Sequence, residues 1–325
     1  MGLRQRLPPW MFERWFIVGV QLAILSLFIG SLGWALRDVW AEAAPRLQNA
    51  DLVDVALSTA VVATYYLVFV LGWMRILGAY GIRIRYRVAL QAEMLSMLAK
   101  YVPGGVWTPA ARVVALRRFG VKETPVVLAS ILLEAGLSAL AGVGVFVVGL
   151  IFVDGVDFPL LPLAAFGVLV AVLLWPPIFR AVATRLLRPF GAHDVKPLPT
   201  RTALELLAFY ALTWPLGGLA LFFMLRAVGG DPEVSSILFL GGATAVGAIV
   251  SVLAIFAPSG LGVREASVYG LLLAVASESV ALSATLLNRL VITVVEVGLF
   301  VACVFLLRGS RAEVERDPDL VAQSH

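Results

Sequence analysis

The chain has 325 residues, of which 61% are hydrophobic and 14% charged, with a mean hydropathy of +0.95. A soluble globule needs more charge than that to cover its surface, so these values exclude one and indicate a polytopic membrane protein. The formal net charge of +4 does not call for nucleic acid, because the basic residues sit in short loops between apolar runs, where cations fix topology and meet anionic headgroups.

Arg4 and Arg6 precede an apolar run over 16–36. That run is longer than a signal-peptide core and is followed by no small-x-small cleavage site, so it reads as the first membrane helix. The loop 37–54 carries Asp38, Glu42, Asp51 and Asp54, and a second span follows over 55–77. Arg75, Arg83, Arg85 and Arg87 then mark a cytoplasmic loop. The apolar region 88–120 is interrupted by Pro103-Gly104-Gly105, where proline removes a donor and glycine permits a turn. Arg117, Arg118 and Lys122 also favour the inside. The region therefore starts and ends on one face, as a re-entrant hairpin.

A span over 125–153 leads to Asp154 and Asp157 outside, and another over 158–178 ends at Trp175-Pro176-Pro177. The basic stretch from Arg180 to Arg201 lies inside. The span 203–227 contains Trp214-Pro215, read as a kink, and Gly217-Gly218, read as a close-packing site. Gly136, Gly142, Gly144 and Gly149 are read likewise as packing positions. After Asp231 and Glu233 comes the broken region 234–277, interrupted at Pro258-Ser259-Gly260. The last span is 281–307, and Arg308, Arg311 and Arg316 place the C-terminus inside.

Two of these modules are copies. Pro103 and Pro258, Gly105 and Gly260, Thr124 and Ser279, and Glu134 and Arg289 are all 155 residues apart. Repeated, interrupted apolar segments are the sequence sign of a transporter built from inverted repeats. The predicted fold is all-α and polytopic: helix, helix, re-entrant hairpin, helix, performed twice. It has six full spans and two hairpins, with repeats over 1–155 and 156–307 and a disordered cytoplasmic tail over 308–325. A rival with eight plain spans leaves the later basic loops on the wrong face.

The intramembrane charges carry the functional reading. Glu134 and Arg289 lie roughly 12–14 Å along their helices from opposite faces, and are expected to meet near the midplane as a static pair or a gate. Glu296 shares a face with Arg289. Glu93 and Lys100 are seven apart before the first break, and Arg112, Arg264 and Glu265 follow the breaks. Each arm after a break starts inside the membrane, so its free amides and the nearby Arg112 and Arg264 suit a phosphate group. Trp10, Trp15, Trp34, Trp40, Trp73 and Trp107 read as an interfacial belt. The single Cys303 makes no intramolecular disulfide, and His193 and His325 make no buried metal site. With no nucleophile–base pair, metal cluster or nucleotide loop in view, the expectation is a transport protein without a cofactor and without intrinsic catalysis.

Lys100-Tyr101-Val102-Pro103-Gly104-Gly105-Val106-Trp107 and Pro258-Ser259-Gly260-Leu261-Gly262-Val263-Arg264-Glu265 resemble the two hallmark motifs of the lysylphosphatidylglycerol synthase transmembrane-region family. The resemblance spans about Ala56 to Leu307, and the Pro-x-Gly-Leu-Gly-x-Arg-Glu form is its more specific part. The first motif lacks the Arg-Glu pair, with Pro109 and Ala110 in its place. The resemblance implies a lipid flippase in the cytoplasmic membrane. Its relatives' soluble aminoacyltransferase domain has no room before His325, which leaves the translocation half as the expectation.

The expected substrate is thus a phospholipid, glycolipid or polyprenyl-phosphate headgroup. Lys100, Pro103, Gly104, Gly105, Arg112, Pro258, Gly260, Arg264 and Glu265 would line its site, and Glu134, Arg289 and Glu296 would gate or couple it. Expected partners are anionic or phosphate-containing membrane lipids, with room for a homodimer or a soluble lipid-modifying enzyme. Two rival functions stand beside this one: an ion-coupled transporter of a soluble anion, and a non-transporting membrane partner of such an enzyme.

Overall fold

The structure is a computed structural model that describes residues 37–101, 107–153, 160–254, 257–305 and 314–316. The expected first span, the tip Pro103-Gly104-Gly105, and Trp10, Trp15 and Trp34 lie outside these residues.

Helix α1 (Arg37–Gln48) leads into α2 (Leu52–Ala79). The Asp51 carboxylate starts α2 by accepting from the Val53 and Asp54 amides at 2.8 and 3.1 Å, which satisfies two of its orphan donors. The short strand β1 (Ile82–Ile84) precedes α3 (Tyr86–Ala99) and α4 (Trp107–Arg118), the arms on either side of the first break. Gly120, at φ 93°, lets the chain leave α4 and enter α5 (Thr124–Gly149), which has proline in its first turn.

The predicted span 158–178 ends earlier, as α6 (Leu160–Leu174). Pro176 and Pro177 start a new helix, α7 (Pro176–Leu187), and the axis bends by 81° between them. Helix α8 (Thr200–Ala227) runs through Pro215 without interruption. Helices α9 (Ile237–Leu253), α10 (Val263–Leu272) and α11 (Glu278–Phe305) complete the bundle. Five of the described helices are long and apolar enough to cross a membrane, or six if the bent pair is one span. The molecule is an all-α polytopic membrane protein.

Contacts between distant residues fix which segments share an end. At one end, the Tyr80 hydroxyl donates to the Lys196 carbonyl at 2.7 Å and Arg75 meets Glu205 at 3.0 Å. There Val314–Arg316 (β2) pairs antiparallel with β1, Ile82 opposite Arg316. This corrects the expectation of a wholly disordered tail. The backbone groups of a three-residue strand need a partner, and the tail supplies one. At the opposite end, Asp51 N–H donates to the Ala227 carbonyl at 2.8 Å and Arg46 to that of Val228 at 3.3 Å.

Both broken regions fold back on themselves. Arg112 on α4 reaches Ser96 and Glu93 on α3, and Gly247 on α9 lies against Arg264 and Val268 on α10. The α3–α4 pair starts beside β1. The α9–α10 pair starts and finishes around one cleft at the opposite end, where Arg46, Asp231, Pro232 and Ala276 meet.

Close backbone approach positions these pairs, and glycine permits it. A Cβ on Gly218 would collide with the Ile237 carbonyl and Gly241, and one on Gly242 with the Phe146 backbone. Gly142 and Gly149 pack α5 against Ala245 and Phe239 in the same way, as read from the sequence, whereas Gly144 faces open space.

Candidate functional site

The turn between α9 and α10 touches the end of α3. Ser259 N–H, in the short turn Pro258–Gly260, donates to the Lys100 carbonyl at 2.9 Å, just beyond the end of α3. Ser259 has φ 54°, in the left-handed region that residues with a Cβ seldom adopt, and Gly260 follows at φ 64°. A Cβ on Gly260 would collide with Ser251, so glycine lets this turn lie against α9. The turn thereby presents both the Ser259 backbone and its hydroxyl to the last helix.

Arg289, on α11, fills the space under the second tip. Its guanidinium donates to Ser259 Oγ at 3.2 Å and to the Ser259 carbonyl at 3.5 Å, and pairs with Glu265 at 3.4 Å. It also lies 5.5 Å from the centre of the Tyr101 ring. One turn further along α11, Thr293 faces the Tyr101 hydroxyl at 3.3 Å. Buried Glu296 accepts from three groups: Tyr101 at 2.9 Å, the Tyr66 hydroxyl from α2, and the Lys100 ammonium. Glu265 also turns back to accept from the Gly262 amide at 2.6 Å, which caps the start of α10.

Arg264 completes this seam. It is half-buried, and with Glu265, Val268, Asn288, Arg289 and Ile292 it lines a small cleft between α10 and α11. Among the described residues it has no hydrogen bond or ion pair. The seam therefore holds three cations (Lys100, Arg264 and Arg289) against two carboxylates (Glu265 and Glu296).

A second charged cluster lies within the first folded-back pair. Arg112 is buried and ion-paired to both Glu93 on α3 and Glu134 on α5. Its Nε–H donates to Ser96 Oγ at 3.2 Å, and its face covers the Trp73 ring at 4.6 Å. Trp73 in turn donates to Ser130 Oγ at 2.9 Å.

Several sequence-based expectations change here. Glu134 and Arg289 do not pair, because Arg112 takes Glu134 and Glu265 takes Arg289. A shared offset in the sequence does not choose partners, which depend on which helix faces which. Arg112 is saturated by carboxylates and is not placed to receive a phosphate. The amide of Gly262 is likewise occupied by Glu265. Trp73, assigned to an interfacial belt, is fully buried. Lys100, Gly260, Arg264, Glu265, Arg289 and Glu296 do come together, and Pro258 belongs to the same turn.

Sequence reasoning missed Tyr66, Tyr101 and Ser259 as parts of the seam, and Glu93 as a partner of Arg112. A signal existed for Glu93. It lies ten residues before Pro103 and Arg112 nine after, so folding the chain at that proline sets them opposite one another. Tyr66 gave no signal inside a uniformly apolar segment.

The family described as lysylphosphatidylglycerol synthase TM region matches the chain over residues 15–299. No curated protein matches it.

Proposed function

The chain belongs to the lysylphosphatidylglycerol synthase TM region family, and from that membership we propose that it is a lipid translocase whose headgroup site is the positive seam between its two folded-back helix pairs. The observation that carries this reading is the meeting of the two helix breaks at Lys100 and Ser259, with Arg264 and Arg289 beside them. Discontinuous helices that meet at a repeat interface near the bilayer midplane are the usual setting of transporter substrate sites.

In this reading the two pairs are re-entrant hairpins entering from opposite faces, and the chain is an inverted repeat. The shared end of β1, β2 and the arginines of 75–87 is cytoplasmic, in keeping with the positive-inside rule. A lipid phosphate would compete with Glu265 for Arg289 and with Glu296 for Lys100, because a guanidinium or ammonium binds phosphate as well as carboxylate. Arg264, with no described partner, would make the first contact. The backbone bond from Ser259 to Lys100 would open as the headgroup passes, while the acyl chains stay in the lipid. Catalysis plays no part in this proposal.

The test is translocation of headgroup-labelled anionic lipids by the purified protein in liposomes. Arg289→Ala is expected to lower the rate about tenfold or more, the equivalent of losing roughly 1.4 kcal/mol of headgroup binding. Folded protein that moves no lipid but takes up a soluble phosphate-like anion would replace this reading with anion transport.

A further inference from the structure

The cluster of Glu93, Arg112 and Glu134 takes no part in the headgroup site, yet all three of its charges are buried. Two carboxylates share one guanidinium, and all three side chains are at most 5% exposed. The guanidinium is fully committed, one terminal nitrogen to each carboxylate, Nε to Ser96, and its face to Trp73. That leaves Glu93 Oε1 and Glu134 Oε1 with no donor among the described residues.

A second observation adjoins the first. The Tyr210 hydroxyl from α8 is buried and likewise has no partner among the described residues. It rests against Gly72, next to Trp73, within electrostatic reach of Glu134, Arg112 and Glu93. Unsatisfied acceptors and an unsatisfied donor thus surround one uncompensated negative charge.

Charge of this kind inside a bilayer is costly, and two carboxylates sharing one site do not both ionise readily. A metal ion is a poor answer, since no group of three or more potential ligands occurs among the described residues. A proton needs no added volume. On one carboxylate it makes a neutral acid, cancels the excess charge and supplies a donor.

We propose that Glu93, Arg112 and Glu134 form a binding site for one proton, held by one of the two carboxyl groups while the other remains ion-paired to Arg112. The remaining groups that face the pair are Lys100 at the end of α3, Tyr65 on α2 and Tyr210 on α8. Tyr65 also lies within electrostatic reach of Arg264 in the seam. Release of the proton returns a carboxylate and leaves the cluster with one negative charge. That charge draws Lys100 back along its own helix, towards Glu93 and away from an arriving headgroup. Uptake of the proton frees Lys100 for an anion. This coupling rests on the translocase reading; the proton site itself does not.

Infrared spectroscopy of the purified protein at neutral pH tests the site. Wild type should show the carbonyl band of a protonated carboxylic acid. Glu93→Gln and Glu134→Gln should each lose it, because either change leaves one carboxylate balanced by Arg112. Glu93→Asp should keep the band and guards against a misfolded glutamine variant. A wild-type spectrum without the band, or a band that survives both glutamine substitutions, overturns the proposal. For the coupling, lipid translocation by wild type should vary with pH, while that of Glu134→Gln should not. Identical pH profiles would break the link to transport. Absence of all translocation would count against the translocase reading, with the spectrum still deciding the proton site.

Discussion

The two charged clusters inside this bundle differ in sign, in access and in what surrounds them. The seam has one cation in excess, and the cluster around Arg112 one carboxylate in excess. In the seam Glu296 is sealed, but the side chains of Lys100, Arg289 and Glu265 are 13–19% exposed, against 1–5% around Arg112. The seam is built across the meeting point of two helix breaks, whereas the other lies between three continuous helix segments and the Trp73 ring. A charge meant to meet a ligand has to be reachable and incompletely paired, while one that only holds helices together does best when sealed. Under the proposed reading, ligand binding belongs to the seam and cohesion, with proton storage, to the Arg112 cluster.

The sharpest way to break the contrast is Arg112→Ala. It leaves two buried carboxylates with no cation, so stability should fall by about 3–5 kcal/mol, read from denaturant unfolding in detergent. Retention of wild-type stability would mean that the cluster is not cohesive. Next in size is Arg264→Ala, expected to cut translocation about tenfold, roughly the loss of one charge-assisted hydrogen bond, with an unchanged unfolding midpoint. A large loss of stability there would show that Arg264 is structural and would erase the distinction between the clusters.

A smaller effect belongs to Tyr101→Phe. It removes one of three donors to Glu296, and stability should drop by about 0.5–1.5 kcal/mol. No drop would imply that Lys100 and Tyr66 alone satisfy Glu296.

Smallest of all is Asp194→Asn, a surface control for both buried clusters. Arg180, hydrogen-bonded to Asp194, holds that carboxyl below the usual aspartate range. Its contribution is therefore present above the ordinary value and lost as pH falls through the lowered folded one. Solvent screens this exposed pair, so thermal scans at neutral pH should not separate variant from wild type.

Much of the fold was legible in the chain. The spans read over 55–77, 125–153, 203–227 and 281–307 correspond to α2, α5, α8 and α11. The breaks at Pro103 and Pro258 separate arms that fold back. The stop at Trp175-Pro176-Pro177 was legible, but the new helix that starts there was not, and α8 continues through Pro215. Proline disfavours a helix interior, but a packed bundle can hold the helix through it. Lys100, Arg264, Glu265, Arg289 and Glu296 were legible as seam residues because charge in an apolar run stands out. The tyrosines were not, since an apolar segment absorbs them without trace.

The amino-acid sequence by itself determined the membrane class, the positions of most spans, the two breaks and the identity of the charges that must be buried. These are properties of composition along one dimension, set by hydropathy and by the conformational limits of proline and glycine. Tertiary structure decided the partners: Arg112 with Glu93 and Glu134, Arg289 with Glu265 and Ser259, Lys100 with Glu296. Partnership depends on how far each helix is rotated and which neighbour it faces. The glycine contacts that let α8, α9 and α5 approach settle this only once the bundle has closed.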